Sequence, residues 1–187
     1  MKIETFEEAV THFNYLHKHP RLETDYIIHN DTLVYYSSLY EDVNLFYCKE
    51  NNIPTYRLTW PGGSIVAGSG DLTYIHLSKR DNPDHFNLKW KKFLTGKMAQ
   101  LGVQLIEDNN DLLLPKGFKF CGMMGKDIGD YFLEAGHISI NPNLDQIIHI
   151  CMKPMVKIPA GLGQYGVTSE MLEQWFNEFY FQTKGAN

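Results

Sequence analysis

Two stretches of the chain carry residue types suited to chemistry on a phosphate or a carboxylate. The first is Trp60-Pro61-Gly62-Gly63-Ser64-Ile65-Val66-Ala67-Gly68-Ser69-Gly70, which holds four glycines in the nine residues from Gly62 to Gly70. Glycine lets backbone N–H groups converge and removes steric bulk, so such loops can come close to a phosphate. Arg57 stands just before this stretch, and an arginine fork suits bidentate contact with carboxylate or phosphate. The segment is neither a P-loop, since GxxxxGK[ST] is missing, nor a dinucleotide-binding fingerprint, since the spacing differs and no helix follows. The residue types alone leave a plain glycine-rich turn open beside a ligand loop. The second stretch begins at Asn110-Asp111 and runs to Lys116-Gly117-Phe118-Lys119-Phe120-Cys121-Gly122. In a strand, Lys119 alternates off the face of Phe118 and Phe120. It then faces a cleft while the phenylalanines pack, or it faces solvent on an edge strand.

The elements that must position these residues can be read from periodicity and punctuation. Thr5-Phe6-Glu7-Glu8 is a capping box, and Phe6, Val10, Phe13 and Leu16 then recur at helical spacing until Pro20. Residues 26–29 and 32–36 are rich in β-formers and flank Asn30-Asp31, which predicts a hairpin. Residues 41–51 predict a helix and residues 55–59 a short strand. The glycine segment joins that strand to another over 72–77. Residues 86–101 carry helical periodicity through Phe86, Trp90, Phe93, Leu94, Met98 and Leu101, ending at Gly102. Strands are expected over 103–106, 111–114, 118–121 and 137–140, a short helix over 144–151, and a loop over 157–166. A final helix over 170–181 is capped by Thr168 or Ser169. Strands in pairs with few helices between them predict an α+β fold, a largely antiparallel or mixed central sheet with flanking helices. That sheet would carry its helices on one side.

Bulk properties narrow the function classes. The 187 residues suit a single domain, and 43% hydrophobic with 21% charged residues is ordinary globular composition. The net charge of -5 gives no reason to expect nucleic acid or an anionic membrane as a partner. The lysines at 89, 91, 92 and 97 read as a solvated helix face. Three widely spaced cysteines, Cys48, Cys121 and Cys151, fit a reducing compartment, hence the cytoplasm, rather than a disulfide framework. His12, His17 and His19 lie close in sequence but lack metal-ligand spacing. The acidic start is unlike a signal peptide, and no stretch approaches a membrane span.

The order of these motifs resembles the biotin/lipoate protein ligase family, closest to its lipoate–protein ligase branch. That branch carries two arginines, a short spacer, a triple glycine, then a small, a β-branched and an aromatic residue before His-Asp and Gly-Asn-Leu. Residues Tyr56 to Tyr74 line up with it without a gap. Farther on, Asn110-Asp111, Lys119-Phe120-Cys121-Gly122 and His137-Ile138-Ser139-Ile140 match an Asn-Asp strand, a lysine two residues ahead of a glycine, and a histidine opening a strand. Lys153 to Leu162 looks like a family tail. The resemblance covers roughly residues 25–168. Three positions depart from it: Leu58 replaces the second arginine, Pro61 the first glycine, and Ala67 the histidine.

The resemblance implies a fold like the class II synthetase and biotin–lipoate ligase catalytic domain, without the small C-terminal accessory domain. It implies ATP-dependent attachment of lipoate, or a related acyl acid, to a lysine of a lipoyl-domain acceptor through an acyl-adenylate. Lys119 takes the catalytic position. Arg57, Gly62, Gly63, Ser64, Asn110, Asp111 and Gly122 take the ATP and acyl-adenylate positions, with Asp111 also a Mg²⁺ ligand. Trp60, Ile65, Val66 and His137 would line the acyl pocket, and a separate accessory chain could supply the missing domain. Two other readings stay open. One is a transferase that moves octanoyl or lipoyl groups through a cysteine thioester, with Cys121 or Cys151 as the thiol. The other is a catalytically degenerate protein that binds a lipoyl domain or an acyl-adenylate.

Overall fold

The computed structural model describes residues 1–37, 42–59, 63–81 and 85–184. A six-stranded, wholly antiparallel sheet forms its centre, in the order β1-β5-β9-β8-β7-β6. Its strands are β1 (Glu23–Ile28), β5 (Leu72–Lys79), β6 (Ile106–Asp108), β7 (Asp111–Leu114), β8 (Phe118–Ile128) and β9 (Tyr131–Ile138). A second, three-stranded sheet is mixed, with β2 (Leu33–Ser37) parallel to β3 (Thr55–Leu58) and antiparallel to β4 (Ile65–Ala67).

Helices cover both faces of the large sheet, not one face as its sequence suggests. α3 (Phe86–Gln100) and α5 (Ser169–Lys184) bury Phe86, Trp90, Leu94, Phe176 and Phe179 against Tyr26, Leu72 and Tyr74. α1 (Phe6–Lys18) lies on the other face, with Ala9, Phe13 and Leu16 packed on Ile27, Ile75 and Leu77, and the small sheet completes that layer through Tyr35, Leu58 and Ala67. α2 (Leu45–Glu50) and α4 (Leu144–Ile150) pack behind the small sheet, where Cys48 and Ile150 meet Val34.

Local sequence explains most element ends. The Thr5 hydroxyl accepts from Glu8 N–H while the Glu8 carboxylate accepts from Thr5 N–H, closing the capping box. Thr168 is the residue that caps α5, its hydroxyl accepting from Met171 N–H at 3.3 Å. α3 starts differently: its first two free amides, of Phe86 and Asn87, donate to the buried carboxylate of Glu134 on β9. α2 is shorter than expected because Asn44 caps it by accepting from Tyr47 N–H.

Several expectations are corrected. The hairpin around Asn30-Asp31 does not form. β1 pairs with β5, and pairing continues past it as His29 N–H donates to the Asp71 carbonyl and Gly70 N–H to the His29 carbonyl. The chain then crosses to the small sheet. Strands 118–121 and 137–140 are the ends of a long hairpin that turns at Gly129, which has a positive φ of 56°. Its middle reads Gly-Met-Met-Gly-Lys and has no alternating pattern to betray it. The strand expected over 103–106 begins at Ile106, while Val103 and Leu105 enter the core. The lysine face of α3 is not wholly solvated. Lys91 is buried and donates to the Asn109 carbonyl, and Lys97 bonds Glu178 at 2.6 Å. The clustered histidines go to separate partners: His12 to Asp25, His17 to Thr59, and His19 to the Tyr15 ring. Among the described residues no helix is long and apolar enough to cross a membrane.

Candidate active site

A cavity of about 560 Å³ lies between the two sheets. Leu58 and Ile65 of the small sheet face Met124 and Ala135 of the large one across it. Its polar lining falls into two groups, one half-exposed and one buried.

The half-exposed group centres on Asp111. Lys119 Nζ lies 2.8 Å from its Oδ1, and Lys157 Nζ lies 2.6 Å from its Oδ2 and 2.7 Å from Asp108 Oδ2. Burial alone would push the Asp111 carboxyl up, but hydrogen bonds and charge from Lys119 and Lys157 outweigh it and hold the group below the usual carboxylate range. Hydrogen bonds to Asp108 and Asp111 in turn raise the Lys157 ammonium above an ordinary lysine.

A β-bulge places Lys119. β7 pairs Leu112 with Cys121 but Leu113 with Lys119, which leaves Phe120 as an extra residue in β8. Phe118 and Phe120 pack toward the α3–α5 core, and Lys119 points the opposite way. The extra residue also brings Lys119 and Gly122, three apart, onto one face, which a regular strand forbids. A Cβ on Gly122 would sit 3.0 Å from both Cε and Nζ of Lys119, so glycine there is the floor on which the ammonium rests. The backbone freed by the bulge is taken up by residues 158–160. Lys119 N–H donates to the Ile158 carbonyl at 2.9 Å, and Ala160 N–H to the Lys119 carbonyl at 2.8 Å. This pairing sets Lys157 beside Lys119.

The buried group lies one strand farther in, on the same row of the sheet: Asp111 pairs with Gly122, Gly122 with His137, and His137 with Thr73. Thr73 Oγ1 is 3.0 Å from His137 Nδ1 and 2.8 Å from His29 Nε2. His137 Nε2 is 3.3 Å from both Asp71 Oδ2 and Ser139 Oγ. Asp71 is fully buried and accepts from Ile140 N–H at 2.6 Å and Gly68 N–H at 2.8 Å. Burial, with His137 alongside, depresses the His29 imidazole to about 3 against an opposing pull from Asp71, so His29 is neutral at physiological pH.

The structure thus brings Lys119, Asp111, Gly122 and His137 to one cavity together with Gly63, Ser64, Ile65 and Val66. Ser64 Oγ donates to Asp42 at 2.8 Å. Asn110 is exposed, and its carbonyl accepts from Met123 N–H. Arg57 is exposed and does not line the cavity, whereas its neighbour Leu58 does. Ala67 is buried in the layer under α1. Trp60, Pro61 and Gly62 lie outside the described residues. Sequence reasoning passed over Lys157, His29 and Thr73. The first is a single lysine in a loop, and the others look like ordinary strand residues. Both cavity-lining thiols are raised by burial, Cys121 to about 12, and at Cys151 the charges of Asp42 and Cys48 add to the effect.

The donor set pairs two ammoniums, which suit an anion, with two carboxylates, hard oxygen groups of the kind that bind a small divalent cation.

Comparison with known proteins bears on the fold and the family. No curated protein matches the chain significantly. Among solved structures, a T. acidophilum protein assigned as a lipoate protein ligase, with lipoic acid bound, superposes with a TM-score of 0.79 at 15% identity, covering 99% of this chain and 85% of that one. Lipoate-protein ligase A bound with ATP gives 0.79 at 16% identity, covering 99% and 83%. A bi-partite lipoate protein ligase from Thermoplasma acidophilum, studied with its E2 lipoyl domain, gives 0.78 at 18%, covering 98% and 82%. These likenesses show the fold. Residues 29–174 match the lipoyl protein ligase A/B catalytic domain, and the chain belongs to that family.

Proposed function

We propose that this protein activates lipoate, or a related acyl acid, with ATP and passes the acyl group to a lysine of an acceptor protein in the cytoplasm. The observation that carries this reading is the Lys119 ammonium, seated over Gly122 and held by Asp111 at the open end of a cavity with apolar walls. Negative charge builds up on the carboxylate and the α-phosphate as the acid attacks ATP, and a fixed ammonium there stabilises it. Lys119 takes that role. Asp111, with Asp108 beside it, would hold Mg²⁺, which neutralises phosphate charge when bound. Gly63 and Ser64, with Gly62, form the proposed wall against the nucleotide, and Arg57 and Asn110 the outer contacts. Leu58, Ile65 and Met124 exclude water from the acyl chain, with Val66 and Trp60 as further proposed walls. His137 closes the pocket, oriented by Thr73 and Asp71. The acceptor is a lipoyl-domain protein by analogy with the bi-partite relative, and a second chain supplies the accessory domain. Neither raised thiol offers a ready thiolate for transfer through a cysteine.

The test is pyrophosphate release from Mg²⁺-ATP with lipoate, octanoate or biotin, with and without a lipoyl domain. Lys119→Ala is expected to lower the rate about 10²–10³-fold. Silence of the native protein with all three acids, alone and with acceptor, would remove the ligase reading.

A further inference from the structure

We propose that Lys157 is the second phosphate-binding cation of this site, working beside Lys119; the inference rests on the reading that the cavity takes ATP. Among the described residues that line the cavity, Lys119 and Lys157 are the only lysines or arginines. The opposite wall offers no cation, because β3 turns Leu58 inward and leaves Arg57 outside. The cations that line the cavity itself therefore stand on the β8 side, with Arg57 outside it.

The two ammoniums are held in an arrangement that fits an anion larger than the one between them. Each takes a different oxygen of Asp111. Asp108 adds a second carboxylate on Lys157 alone, so Asp111 is the one anion the two ammoniums share. A phosphate chain presents several anionic oxygens and can accept from both lysines at once. Lys157 is free to make that exchange. Its ammonium is held by Asp108 and Asp111, both reachable by solvent, while its backbone is fixed by the pairing of residues 158–160 with Lys119. Its neighbours Val156 and Ile158 are exposed, and the Lys157 side chain itself is 23% exposed.

A purely structural role is the competing explanation: Lys157 would only pin residues 152–160 to β7. Calorimetric titration with Mg²⁺-ATP, inorganic pyrophosphate and lipoate separates the two. In Lys157→Met, affinity for ATP and pyrophosphate is expected to fall at least ~10-fold while that for lipoate holds. Lys157→Arg should keep most of the phosphate affinity. Unchanged ATP affinity in Lys157→Met would overturn the assignment, as would an equal loss for all three ligands, or a native protein that binds neither ATP nor pyrophosphate. If the native protein binds ATP with this dependence but releases no pyrophosphate with any acid, Lys157 keeps its role and the ligase reading falls. If pyrophosphate is released and Lys157→Met has the native KM for ATP, Lys157 loses its role and the ligase reading stays.

Discussion

At the open end of the cavity, Asp111 accepts from two lysines that water can reach; deeper in, Asp71 accepts from two backbone amides and faces His137 with no exposure at all. Asp111 begins the row of paired residues that runs through Gly122 and His137 to Thr73, and Asp71 meets that row at His137. Their partners differ in kind. Lysine ammoniums on flexible stems can leave for another anion, whereas amides of Gly68 and Ile140 cannot move without moving the fold. The outer cluster is suited to exchanging ligands and the inner one to keeping a shape.

Removing each carboxylate should break that contrast most visibly. Asp71→Ala strands two buried amides and is expected to cost about 3–5 kcal/mol of stability. Asp111→Ala frees Lys119 into water and leaves Lys157 with Asp108, and should cost within about 1 kcal/mol, as solvent-reachable ion pairs do. Denaturant titration of both variants reads the difference, and equal losses would erase the distinction.

A smaller effect follows from His29. Its imidazole titrates at about 3 in the folded protein, below the value of 6.5 it takes when unfolded. Below pH 6.5 the unfolded chain therefore binds a proton that the folded one does not, and stability is lost as pH falls toward 3. Between pH 7 and 5 this amounts to about 2 kcal/mol. His29→Gln should flatten that slope relative to the native protein, as followed by unfolding at each pH. The outer cluster makes no such demand in this range, because the depressed Asp111 titrates only on the acid side of ordinary carboxylates.

The smallest change concerns geometry. Gly122→Ala puts a methyl where the Lys119 ammonium rests, and the flexible end of the lysine must shift. Activity should fall by about tenfold, the equivalent of 1.4 kcal/mol in the barrier, with the melting temperature nearly unchanged. A large fall in melting temperature would place Gly122 with the inner, shape-keeping group.

How much of this was legible in the sequence depends on whether a residue belongs to a periodic pattern. The capping box of α1, the apolar stripe of α3 and the last helix could all be read from spacing. The hairpin of β8 and β9 could not, because Gly122, Met123, Met124, Gly125 and Lys126 do not alternate. Asn30-Asp31 suggested a turn between neighbours, but the pairing of β1 was decided by β5, over forty residues away. Strand alternation between Phe118 and Phe120 made Lys119 a candidate while leaving a solvent-facing lysine open, and the family resemblance gave it a role and added Gly122. Lys157 was quoted within the family tail, yet nothing about a lone lysine in a loop says which carboxylates it will meet.

The bulge at Phe120 has a consequence for reading related sequences. A strand has two-fold parity, and one inserted residue shifts its phase by half a period. The spacing of lysine and glycine is therefore a record of that phase: two residues between them, with the bulge, keep both on the cavity side. With two residues between them and no bulge, Lys119 and Gly122 would turn to opposite faces, whereas deleting Phe120 would remove the bulge and leave them two apart on one face of a regular strand. An alignment that opens a one-residue gap between these two positions is thus a statement about whether the bulge is present. Substitutions at residue 120 carry no such meaning, since the phase depends on the number of residues there and not on their kind.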